Sequence, residues 1–208
     1  CASNDNKVLY DFFRTGTYDK NREFILTTSP SMDILVSSNL ERLLYLSCGR
    51  DAAKTKAMME QLSTNGKYEI TEDMKEFMKD FCAGYADMEE NAKEIRKVFD
   101  DTGYLIDTHT GVAAAVYEQY KAKTGDTTKT LIASTASPFK FSASVLDALG
   151  KKPADGTDEY DMVELLHEVS SMEIPQSLAA LKTKPRRFDG SIDKSEMQQF
   201  VLQELHLS

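Results

Sequence analysis

One pattern limits the fold of this chain more than any other: a strand, a helix and a strand joined by short turns. Tyr104-Leu105-Ile106-Asp107 reads as a short strand, residues 110–123 as an alanine-rich helix closed by Gly125, and Lys129-Thr130-Leu131-Ile132-Ala133-Ser134 as a second strand. A helix of about four turns carries the chain back to where the first strand began, so the two strands are expected to run parallel. Parallel sheets need helical cover, and the remaining sequence is rich in helix signals. The expected class is α/β.

Those signals are mostly caps and apolar periodicity. Lys7 to Phe13 places Val8, Leu9, Phe12 and Phe13 on one face, with Asn4 or Asp5 as cap and Gly16 as stop. Residues 17–36 have no clean period, and Ser29-Pro30-Ser31 marks a loop. Ser38-Asn39-Leu40-Glu41 has capping-box spacing and opens a helix through Leu43, Leu44 and Leu46 that stops at Gly49. Asp51, Thr71 and Asp87 open three more, carrying Met58, Met59 and Leu62, then Met74, Phe77, Met78 and Phe81, then Ile95, Val98 and Phe99. The methionines read as core filler rather than as a cofactor box. A short helix at 142–149 follows the second strand, then an acidic linker at 155–161 and a helical tail broken by Pro175 and Pro185. Four regions are expected: 1–37, a helical block at 38–103, the strand-helix-strand unit at 104–150, and a helical tail at 151–208.

Charge narrows the partners. With 34 acidic and 25 basic residues the net charge is −9, which argues against nucleic acid. The one tight basic cluster, Lys182, Lys184, Arg186 and Arg187, reads as a solvated loop. No apolar run approaches the roughly 18 residues that span a bilayer. Cys1, Cys48 and Cys82 lie far apart, a set that suits a reducing compartment and points to the cytoplasm. The first residue is cysteine with no signal core after it, and a truncated start is the expected reading. His109, His167 and His206 have no partners at metal-ligand spacing, so no metal site is expected. His109, just before a helix, reads as a cap or packing residue rather than a base.

Ligands of open parallel sheets bind at the carboxyl ends of strands, and two polar segments answer that description. Ala2-Ser3-Asn4-Asp5-Asn6 runs into a helix amino terminus and is either a polar shelf for an anion or a strong cap. Ser134-Thr135-Ala136-Ser137-Pro138 is either a platform for a flat cofactor, with a hydroxyl for a ring nitrogen, or a plain hydroxyl-rich turn. The loop from Ser29 to Arg42 gathers further polar groups, among them Ser31, Asp33 and Asn39, and Arg42 is either a fork for a phosphate or, on the plainer account, an exposed residue of a capped surface helix.

Four segments carry a resemblance to a known family. Cys1-Ala-Ser-Asn-Asp-Asn-Lys-Val-Leu-Tyr-Asp-Phe-Phe-Arg-Thr-Gly16, Ser29-Pro-Ser-Met-Asp-Ile-Leu-Val-Ser-Ser-Asn-Leu-Glu-Arg-Leu-Leu44, Asp107-Thr-His-Thr-Gly-Val-Ala113 and Ile132-Ala-Ser-Thr-Ala-Ser-Pro-Phe-Lys-Phe141 resemble, in order, segments of threonine synthases. The resemblance implies part of a fold-type-II, three-layer pyridoxal-phosphate enzyme: a parallel-sheet remnant with a large helical insertion and a helical tail. It also implies conversion of O-phosphohomoserine to threonine and phosphate. Thr135 is then the residue that hydrogen-bonds the pyridine nitrogen. Asn4, Ser31, Asp33, Asn39 and Arg42 are expected on the substrate side.

Two departures accompany the resemblance. Thr108 stands where the family has proline before His109. The Ser-Phe-Lys-Asp segment with the Schiff-base lysine and the Gly-Asn-Phe-Gly-type phosphate loop are not in this sequence, and Lys140 is not that lysine. No catalytic residue is therefore expected in this chain, which alone should be inactive and, with apolar faces bared, prone to self-association. The competing reading is a helical interaction module without chemistry.

Overall fold

Among the described residues, short polar side chains cap half of the α-helices and glycines close four of them. The computed structural model describes residues 1–207. A two-residue strand, β1 (Ala2–Ser3), leads into α1 (Val8–Thr15), which buries Val8 and Phe12 and ends at Gly16, whose φ of 80° is the left-handed value glycine tolerates. β2 (Thr17–Asp19) follows, then a long loop with one 3₁₀ turn at Pro30–Met32. α2 (Leu40–Ser47), α3 (Ala52–Asn65), β3 (Lys67–Glu69) and α4 (Glu72–Phe77) complete the first half.

The second half contains β4 (Gly84–Tyr85), α5 (Met88–Thr102), α6 (Thr108–Thr124), α7 (Ser142–Ala148) and α8 (Glu159–Ser170). Asp51 accepts from Ala53 and Lys54 backbone N–H groups, Thr71 from Met74, and Asp87 forms a full capping box with Glu90. Two caps differ from expectation. The side chains of Asn4 and Asp5 do not cap α1, because Asn4 Oδ1 turns to its neighbour's backbone, accepting from Asn6 N at 2.9 Å. Ser38 forms no capping box either: Asn39 stands at the N-cap of α2, and its side chain accepts from no backbone N–H of the helix.

The core of the first half is aromatic and thioether. Val8, Phe12, Tyr18, Leu40, Leu44, Met58, Leu62, Tyr68, Met74 and Met78 form one buried cluster. β2 and β3 pair antiparallel through it, Tyr18 opposite Tyr68, a pairing that the unperiodic sequence at 17–36 did not announce. In the second half α5 packs on α6 and α7, and α7 on α8, over Ile95, Leu105, Val145, Leu146 and Leu166.

The expected strands at 104–107 and 129–134 are not strands. Both run without a ladder on either side of α6. Leu105 and Ile106 are buried side chains of a loop, whereas Leu131 is 99% exposed. Apolar content reports burial or an open edge, but a strand also needs a neighbour to bond. The parallel pair lies elsewhere, β1 beside β4, with Ala2 opposite Gly84 and Ser3 opposite Tyr85. The fold is mostly helical with a small parallel sheet.

Cys1–Glu173 forms one compact unit, and a second begins at Ile174. The second holds α9 (Gln176–Ala179) and α10 (Met197–Glu204), and none of its described residues is buried. Among the described residues no helix is long and apolar enough to cross a membrane.

Candidate functional site

Both polar segments flagged by the sequence are organised around a carboxylate. The first centre is Asp33. Asn4, buried at the carboxyl end of β1, donates through Nδ2 to Asp33 Oδ1 at 2.7 Å, and lies 2.9 Å from Thr27 Oγ1 and 3.0 Å from Ser29 Oγ. Thr27 gives its hydroxyl hydrogen to Asp33 Oδ1 at 2.6 Å and its backbone N–H to Oδ2 at 2.9 Å. Asn6 adds a bond to Oδ1 at 3.1 Å and uses its amide like a strand neighbour, donating to Ile25 O and accepting from Ile25 N. Asn4 and Asp33 are thereby committed to each other and pin the loop at 25–33 to the tip of β1.

The second centre is Asp107, fully buried at the N-cap of α6. Its Oδ1 accepts from His109 N at 2.8 Å, Thr110 N at 3.4 Å and His109 Nδ1 at 3.0 Å, and its Oδ2 accepts from Thr110 Oγ1. On the far side of the ring, Ser31 donates its backbone N–H to His109 Nε2 at 3.0 Å. An acceptor at Nε2 fixes the hydrogen on Nδ1, where Asp107 receives it. Thr110 Oγ1 also meets Ser134 Oγ at 2.9 Å. The threonine has one hydroxyl hydrogen and the carboxylate takes it, so Ser134 is the donor in that contact.

α6 reaches this position because α5 lies against its first turn. A Cβ on Gly111 would collide with Asn91 Oδ1 and come within 2.7 Å of Ile95. Phe141 closes the other side, its ring centroid 4.7 Å from that of His109.

The remaining predicted residues lie further out. Thr135 follows Ser134 directly, exposed and outside any helix, and none of the described residues hydrogen-bonds its hydroxyl. Ser31 is exposed on its 3₁₀ turn. Asn39 and Arg42 are exposed and bonded to each other, Arg42 Nη2 donating to Asn39 Oδ1 at 2.9 Å. The geometry therefore joins Asn4 to Asp33, ties Ser31 to Ser134 next to Thr135, and leaves Asn39 and Arg42 as a separate surface pair.

Asp107, His109 and Thr110 were not singled out as site residues by sequence. Asp-Thr-His-Thr before an alanine-rich run does carry the cap signal, but nothing in its spacing announces a partner 78 positions away. At the tip of β1, Asp5 has a buried Oδ2 with no hydrogen-bond partner. Burial, and then the nearby Asp87 carboxylate, push its carboxyl above the usual range. No cluster of metal-ligating groups exists among the described residues.

Residues 110–201 match the family model described as threonine synthase, C-terminal. Full-length coverage comes from relatives: human threonine synthase-like 1 is 32% identical over 97% of the chain, and threonine synthase of Methylobacillus glycogenes 31% identical over 98%. This chain holds a threonine synthase C-terminal region. The threonine synthase region also has the matching shape. The crystal structure of yeast threonine synthase covers all of it at 27% identity with a TM-score of 0.79. The pyridoxal-phosphate-bound threonine synthase of Brucella melitensis covers 78% at 35% identity with a TM-score of 0.67. The chain spans 28% of the human relative, 40% of the Methylobacillus enzyme and 42% of the yeast structure.

Proposed function

We propose that this region belongs to a pyridoxal-phosphate enzyme that converts O-phosphohomoserine to L-threonine and phosphate, with Thr135 as its contact to the pyridine nitrogen. The observation that carries this reading is the placement of Thr135: an exposed hydroxyl without a partner among the described residues, on a turn tethered through Ser134 to the first turn of α6. A neutral hydroxyl fits the ring edge of the cofactor. The carbonyl and phosphate ends call for a lysine and a set of backbone donors, and the neighbouring Lys140 instead lies over the Phe141 ring at 5.3 Å.

When bound, the cofactor supplies the electron sink on which phosphate elimination depends. Thr135 donates a hydrogen bond to the ring nitrogen but no proton, so that nitrogen stays uncharged and the sink moderate. Ser31, Asn39 and Arg42 offer exposed donors to an anionic substrate, while Asn4 and Asp33 hold the loop that carries Ser31. The net charge of −9 and three free cysteines support a cytoplasmic enzyme without a nucleic-acid partner.

Thr135→Asp in the intact cofactor-loaded enzyme tests the assignment. Protonation of the ring nitrogen is expected to change the partition between threonine formation and side products more than cofactor content. Unchanged partition would sink it. The 208-residue chain alone is expected to bind pyridoxal phosphate poorly, since one neutral hydrogen bond is worth about 1 kcal/mol net and micromolar affinity needs about 8 kcal/mol. Phosphate release from O-phosphohomoserine by that chain, clearly above buffer, would contradict this.

A further inference from the structure

Two surfaces that sequence treats as separate, the loop bearing Ser31 and the turn bearing Thr135, are joined by one uninterrupted set of hydrogen bonds. It runs from Ser31 N–H to His109 Nε2 at 3.0 Å, from His109 Nδ1–H to Asp107 Oδ1 at 3.0 Å, from Thr110 to Asp107 Oδ2, and from Ser134 to Thr110 Oγ1 at 2.9 Å. Each step has one donor and one acceptor, and every direction follows from the carboxylate at the centre, which can only accept. Asp107 is 0% exposed and His109 9%, so water does not compete for the bond between them.

We propose that Asp107 and His109 are positioning residues that lock the Ser29–Asp33 loop to the Ser134–Thr135 turn, holding the exposed hydroxyls of Ser31 and Thr135 in one frame. Given the function proposed above, that frame sets the substrate side of the site against the ring side of the cofactor. Neither residue touches a ligand in this role. His109 acts through the loop backbone and Asp107 through the ring and through Thr110. The arrangement requires one tautomer: a hydrogen on Nε2 would face the Ser31 N–H donor to donor and expel the loop.

The test needs no cofactor, which separates it from the test of Thr135. In the full chain, nitrogen NMR of His109 is expected to show an unprotonated Nε2 and a protonated Nδ1 at neutral pH. Amide exchange at Ser31 should rise about five-fold in His109→Leu, the size of one net hydrogen bond. His109→Gln, whose amide oxygen can take the place of Nε2, should restore most of the protection. A hydrogen on Nε2, or equal Ser31 exchange in wild type and His109→Leu with α6 exchange unchanged, would overturn the proposal. Should His109→Leu fail to fold, the tautomer measured in the wild-type chain decides it. If Thr135→Asp leaves partition unchanged while these readouts hold, the relay stands and the cofactor assignment falls.

Discussion

The aromatic cluster under α1 and the polar seam at the start of α6 are both buried, yet they are held by different physics. Around Phe12 the rings of Phe13, Tyr18 and Tyr68 lie with centroids 5.4, 5.8 and 6.1 Å away, and the ring contacts are non-directional, although the Tyr18 hydroxyl accepts from Ser37 N and donates to Leu35 O. Around Asp107 every contact is directional, with a fixed donor for each lone pair used. Burial of apolar area is tolerant of shape as long as volume is kept. A carboxylate hub is not, because removing it strands its donors. The difference teaches where this fold can vary: in the identity of its core side chains more readily than in the atoms of its seam.

Substitutions at three positions press on that contrast. Phe12→Ala should have the largest effect, a loss of about 3–5 kcal/mol in chemical denaturation, because a fully buried ring leaves a cavity. Phe12→Leu should recover more than half of it. A leucine as damaging as the alanine would mean that the cluster is as particular as the seam.

Asp107→Ala comes next, at about 3 kcal/mol, combining a lost helix cap with stranded donors on His109 and Thr110. Asp107→Asn keeps an acceptor for His109 and should cost about 1 kcal/mol. Equal losses in both variants would show that charge, not geometry, holds the seam.

Asp5→Asn should have the smallest effect, and a stabilising one. Burial first, and the Asp87 carboxylate second, raise the Asp5 carboxyl above its ordinary 3.8. A carboxyl raised on folding favours the native state while protonated, so its contribution is full below the unfolded value and is lost as pH rises through the folded one. The variant should therefore melt slightly higher than wild type at about pH 7 and no higher at about pH 3. A lower melting temperature at neutral pH would show that Asp5 has an unrecognised partner.

Helix limits were legible because they are local. Asp51, Thr71 and Asp87 cap as their spacing implied, and Gly16, Gly66, Gly103 and Gly125 all close helices with positive φ. Sheet partners were not legible, since a two- or three-residue strand carries too few side chains to name its neighbour. Tyr18 meets Tyr68 and Ala2 meets Gly84 only through the path of the intervening helices. The candidate site divides in the same way. The polar character of Asn4, Asp33 and Ser134 was visible, but not that Asn4 and Asp33 bind each other, nor that Ser134 and Ser31 hang from one carboxylate.

The stacked tyrosines give the chain an optical gauge of its own. Tyr18 and Tyr68 lie 5.3 Å apart with planes 8° from parallel, and the sequence contains no tryptophan to mask them. Two fixed chromophores in such proximity should dominate the near-ultraviolet dichroism, which disappears when packing is lost. Burial also raises both phenols above their usual range, so alkali should ionise the exposed tyrosines first and this pair only as its surroundings open. Unfolding of the aromatic cluster can thus be followed by light alone, with no label attached.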